Sequence, residues 1–60
     1  MWGIKVWSIS YRRHTAYIEK ENGVYCGQVM TDGGIINFEG YRWEEVEAEF
    51  HAAIDDYLDS

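Results

Sequence analysis

Between Tyr41 and Leu58 the chain reads YRWEEVEAEFHAAIDDYL, with apolar residues at Trp43, Val46, Phe50, Ala53, Ile54, Tyr57 and Leu58. Steps of three, four and one place these side chains along a single stripe of a 3.6-residue helix, whereas a strand would scatter them over both its faces. The opposite side carries Glu44, Glu45, Glu47, Glu49, Asp55, Asp56 and Asp59. The spacing therefore predicts an acidic, amphipathic helix over residues 42–58. Its stripe has to be buried, and the only material available is the β-rich segment that precedes it. No Ser, Thr, Asp or Asn stands at the start of the helix, which leaves Gly40 as the expected cap.

The segment before the helix is punctuated by turn signals. Asn22-Gly23 is a strong hairpin signature, because both residues tolerate positive φ. It predicts a strand over His14–Glu21 and another over Val24–Thr31. Asp32-Gly33-Gly34 is a second turn, and Ile35–Glu39 a short third strand. With a two-residue loop at Asn22-Gly23, Ile18 faces Gly27 and Ala16 faces Val29. Ala16, Ile18, Tyr25 and Val29 then line the side under the helix, with Gly27 leaving room for the helix to approach. Tyr17, Glu19, Cys26, Gln28 and Met30 share the other side, a mixed surface suited to meeting a partner. Residues 1–10 are rich in β-formers, but their alternation breaks between Val6 and Trp7. They read as an extra strand with a bulge or as an arm that docks elsewhere. The expected architecture is α+β, one domain spanning residues 1–60. A small antiparallel sheet of three to four strands (residues 11–40, plus the arm) carries one C-terminal amphipathic helix packed on one face.

Sixty residues bury a small core, so self-association would add stability. An unpaired edge on the Trp2–Ile9 arm makes a C2 homodimer, with both arms paired, the natural expectation. No apolar run approaches the ~20 residues of a membrane span. The start, MWGIKVWS, lacks the apolar stretch and cleavage site of a signal peptide. The single cysteine, Cys26, forms no internal disulfide, and together these features point to the cytoplasm. Charge is split: residues 1–30 sum to +2 and residues 31–60 to −8, giving the net −6. The acidic half repels phosphates, so direct nucleic-acid binding is not expected of it. A basic protein would be attracted to it.

Gly27-Gln28-Val29, then Asn37-Phe38-Glu39-Gly40, then the helix with Glu44, Glu45, Phe50 and the closing Asp55-Asp56-Tyr57-Leu58 follow one another in an order that resembles the HicB antitoxin family. The resemblance covers residues 11–59. It implies a degenerate ribonuclease-H-like fold without working catalytic carboxylates. It also implies a partner, a small basic ribonuclease toxin of the HicA type, whose active site the antitoxin covers. Members of the family append a ribbon-helix-helix or helix-turn-helix segment; Ser60 precedes any such segment, so operator binding is not expected of these residues. The Trp2–Trp7 arm is unlike most members.

Glu47, His51 and Asp55 lie at i, i+4 and i+8 on one helical ridge, the spacing of paired metal ligands, but no ligand pattern elsewhere in the sequence completes a set and a solvated ridge is the better reading. His14 beside Arg12 and Arg13 reads as a solvent-facing strand start, Cys26 as a buried or a neutral sheet position, and Gly33-Gly34 as a turn that no phosphate-binding Lys-Ser/Thr follows. Neither catalysis, nor a metal, nor a cofactor is expected. Three classes of function remain: an antitoxin domain, a phage-encoded acidic inhibitor of the anti-CRISPR type that mimics phosphates, and a purely structural subunit. In the two inhibitor classes, Tyr17, Gln28 and Met30 on the sheet and Glu44, Glu47 and Asp55 on the helix are the expected partner-binding residues.

Overall fold

The structure is a computed structural model and describes residues 5–59. Four strands are followed by one helix: β1 (Val6–Tyr11), β2 (His14–Glu21), β3 (Val24–Thr31), β4 (Gly34–Gly40) and α1 (Trp43–Asp59). The strands form a single antiparallel meander in the order β1-β2-β3-β4. The expected α+β arrangement is thus present, with four strands and the helix on one face. The boundaries of β2 and β3 coincide with those read from the sequence, and the pairing Ile18↔Gly27 and Ala16↔Val29 follows from the Asn22-Gly23 loop.

The core lies between sheet and helix. Ala16, Ile18, Val29, Phe38, Val46, Phe50 and Ile54 are buried, so the helical stripe contributes three of the seven buried side chains. Trp7, Ile9, Tyr11, Tyr25, Ile36 and Trp43 close around this centre. At one end Trp7, Tyr25 and Trp43 meet edge to face, with centroids 5.5–5.8 Å apart. In the middle Phe38 stacks on Phe50 at 5.5 Å and an interplanar angle of 14°.

Three expectations change. Residues 6–11 form the extra strand, but without the bulge. They pair in unbroken register with β2, from Val6↔Glu19 to Tyr11↔His14, and send Trp7 into their own core. Trp2 and Ile4 lie outside the described residues. Gly27 makes room for a neighbouring strand rather than for the helix: a Cβ there would stand 2.3 Å from Cε2 of Phe38. Gly40 is not the cap. The Arg42 carbonyl accepts the first helical bonds, and Oε1 of Glu45 reaches back to the amides of Tyr41 (2.8 Å) and Arg42 (3.3 Å). Glu45 thus supplies the carboxylate half of a capping box whose Ser/Thr half is missing.

Candidate functional site: the open face of the sheet

Side chains alternate along each strand, so those not under the helix form a second, uncovered face. In register they make cross-strand rows. Val6, Glu19, Cys26 and Glu39 stand in one row, Ser8, Tyr17, Gln28 and Asn37 in the next, and Met30 and Ile35 pair beyond them. Large apolar side chains are left in water: Met30 is 75% exposed, Tyr17 56%, Ile35 55% and Val6 53%. The charged groups on this face are Glu19, Glu21 and Glu39, all exposed and all acidic. Between the first two rows runs a shallow groove of about 260 Å³ lined by Val6, Tyr17, Glu19, Cys26, Gln28 and Asn37. An apolar end thus lies beside an acidic end on one exposed surface.

The expected partner-binding residues divide into two sets. Tyr17 and Gln28 are cross-strand neighbours, and Met30 lies on the same face. Glu44, Glu47 and Asp55 belong to α1, on the opposite side of the sheet, so the six residues do not form one patch. Glu44 is exposed in the first helical turn, where its charge suits the macrodipole.

Asp55 has a structural occupation. Its Oδ1 accepts from the Tyr11 hydroxyl at 2.8 Å and from Nη1 of Arg12 at 2.9 Å. The bond from Arg12, then that from Tyr11, holds the Asp55 carboxyl below its ordinary range. The same carboxylate pushes the Tyr11 hydroxyl and the Arg12 guanidinium upward. His51 stacks on Tyr11 with centroids 4.0 Å apart. The ridge of Glu47, His51 and Asp55 is therefore not simply solvated: two of its three residues bind the first hairpin to the helix. Among the described residues no group of three or more His, Cys, Asp or Glu is placed to hold a metal ion. His14 also turns inward, with Nδ1 3.0 Å from the Arg12 carbonyl and its ring 5.8 Å from that of Tyr57.

Ile35, Asn37, Glu39 and Val6 were not among the expected partner residues. The alternation of β4 after the Asp32-Gly33 turn carried the signal for the first three; Val6 needed the β1–β2 pairing. A second depression, of about 430 Å³, lies where β4 meets the helix and is lined by Val24, Glu39, Gly40, Tyr41, Glu45, Ala48 and Glu49. Among the described residues no helix is long and apolar enough to cross a membrane. Compared with known proteins, the chain matches no family model, no curated protein and no solved structure.

Proposed function

We propose that this protein is a non-catalytic inhibitor domain of the HicB antitoxin type, which grips a small basic nucleic-acid enzyme, a HicA-type ribonuclease, and covers its active site. The observation that carries this reading is the open sheet face, where Tyr17, Met30 and Ile35 stand exposed beside Glu19, Glu21 and Glu39. Rigid aromatic and flexible sulfur-bearing side chains are effective anchors. Carboxylates around them favour a cationic partner and disfavour direct contact with nucleic acid. The resemblance in Gly27-Gln28-Val29 and in the helix motif supports the same reading from the sequence side.

Glu44 and the other helical acids act at longer range. Charge on the back of the sheet speeds encounter more than it strengthens the final complex. Asp55 contributes less to this steering, since Arg12 neutralises it.

The test is co-purification from the native host, identification of the captured protein, and titration of its nuclease activity. A small basic ribonuclease silenced at one equivalent is the expected result. Tyr17→Ala combined with Met30→Asp should release the inhibition while the melting temperature stays put. A captured partner that handles no nucleic acid, or a double variant that inhibits as well as the parent, overturns the reading.

A further inference from the structure

β4 is an edge strand of the sheet, and which of its backbone groups are free follows from the hairpin phases. The two-residue loop at Asn22-Gly23 makes Glu21↔Val24 a hydrogen-bonded pair, so alternate residues of β3 from Val24 onward bond to β2. The intervening residues of β3 (Tyr25, Gly27, Val29, Thr31) bond to β4. Their partners Gly40, Phe38, Ile36 and Gly34 therefore spend their amides and carbonyls inside the sheet. Ile35, Asn37 and Glu39 aim theirs outward.

That edge carries little of the usual protection. Across the seven residues of β4 there is no Lys, no Pro and one charged side chain, Glu39. The end of the edge near Gly40 opens on the depression bordered by Glu39, Glu45 and Glu49, three acids against the single basic residue, Arg42, that follows the strand. The other end offers exposed Ile35 beside exposed Met30. The opposite edge, β1, is flanked by Lys5 and Arg13, and by Arg12, whose charge Asp55 offsets. An extended basic segment is thus repelled at one edge of the sheet and attracted at the other.

We propose that β4 accepts an extended, basic segment of the partner as a fifth strand, with cationic side chains passing Glu39, Glu45 and Glu49 and an apolar one beside Ile35. This rests on the inhibitor reading above and specifies how the partner is held: main-chain bonds to Ile35, Asn37 and Glu39 supply affinity, and the acid-to-apolar gradient sets direction. A second copy of this chain fits the edge less well. Antiparallel β4–β4 pairing would bring two acidic helices, from chains of net charge −6 each, side by side.

The probe is a capped peptide of alternating Arg and Val with the length of β4, and a Glu-Val peptide serves as control. Binding of the Arg-Val peptide should slow hydrogen exchange of the Ile35, Asn37 and Glu39 amides at least about tenfold, leaving the outward amides of β1 unchanged. Asn37→Pro removes one outward donor and no internal one, and should weaken the peptide about tenfold or more, whereas Asn37→Ala, which loses the same side chain and keeps the amide, should not; nor should Ser10→Pro on the β1 edge. Unchanged exchange on the parent chain overturns the proposal without recourse to any variant, as does equal binding of the Glu-Val peptide. Protection that rises with protein concentration in the absence of peptide would assign the edge to a second copy and overturn it too. The two readings fail separately. If Asn37→Pro still silences the basic partner while Tyr17→Ala with Met30→Asp does not, strand addition is wrong and the open-face reading stands. If none of these variants affects inhibition, both fall.

Discussion

Two hairpin turns in this molecule reach the same backbone by different means. Asn22-Gly23 turns with φ of 53° and 81°, and Arg12-Arg13 turns with φ of 50° and 72°. The first pair is the residue choice that such a turn favours; the second places two bulky L-residues in the left-handed region, at roughly 1–2 kcal/mol each. What offsets that cost lies outside the loop. Arg12 is bonded to Asp55, its carbonyl lies 3.0 Å from Nδ1 of His14, and Tyr11 is stacked on His51 and bonded to Asp55. One turn is specified locally, while the other is held by the helix forty residues downstream. A strained conformation of this kind persists only where the surroundings over-determine it.

The strongest way to break the comparison is to remove what both hairpins share. Phe50 is fully buried, stacks on Phe38 and meets Tyr11 edge to face at 6.3 Å. Phe50→Ala should cost about 3–5 kcal/mol, enough to unfold most of a domain this small. Urea titration followed by tryptophan fluorescence measures it. A variant that melts within a degree or two of the parent would mean that the ring is not the keystone between helix and sheet.

The turns themselves give a pair of predictions with opposite signs. At Gly23 a Cβ would meet nothing within 4 Å, so Gly23→Ala isolates backbone strain and should destabilise by about 1–2 kcal/mol. Arg13 is exposed, and its side chain is the one in that turn without a bond to the helix. Arg13→Gly should therefore stabilise, by up to about 1 kcal/mol, because relief of strain exceeds the added entropy of the unfolded chain. Thermal melts of both variants check the signs. An Arg13→Gly chain less stable than the parent would show that the guanidinium has a structural use that outweighs the strain.

The same contrast explains what was legible in the sequence. The β2–β3 hairpin could be placed to the residue because Asn22-Gly23 sets register and Ala16, Ile18 and Val29 then fall on one face. The helix could be read because its stripe repeats over four turns. β1 was harder, because Arg12-Arg13 carries no turn signal and Trp7 finds its place only through Tyr25 and Trp43, both distant in sequence. Gly27 reads locally as a gap for the helix; that Phe38 fills it depends on the β3–β4 register, which the second turn sets. For the site, Tyr17, Gln28 and Met30 followed from alternation alone. Asp55 looked like one more solvated acid, since nothing local connects it to Tyr11 and Arg12.

The gentlest test separates the two turns by pH. Asp55 is held below its ordinary value of 3.8 by bonds that only the folded chain makes. A carboxylate depressed in this way stabilises the fold above the unfolded value, and that contribution is lost as pH falls through the lower, folded one. The first hairpin should therefore loosen in acid, in the range below pH 3.8, before the Asn22-Gly23 hairpin responds. Asp55→Asn should flatten the acid limb of the melting curve and leave the neutral region only slightly lowered, because both partners are half exposed and water screens the pair. Raising the pH gives a complementary check. Its bond to Asp55 holds the Tyr11 hydroxyl above 10.0, so its contribution persists through neutral pH and is lost only as pH rises through the higher folded value. Absorbance titration of tyrosinate in the parent and in Asp55→Asn should show one tyrosine moving toward its ordinary value. Superimposable titrations, or an acid limb unchanged by Asp55→Asn, would mean that the strained Arg12-Arg13 turn stands without the helix, and the contrast between the two hairpins would lose its cause.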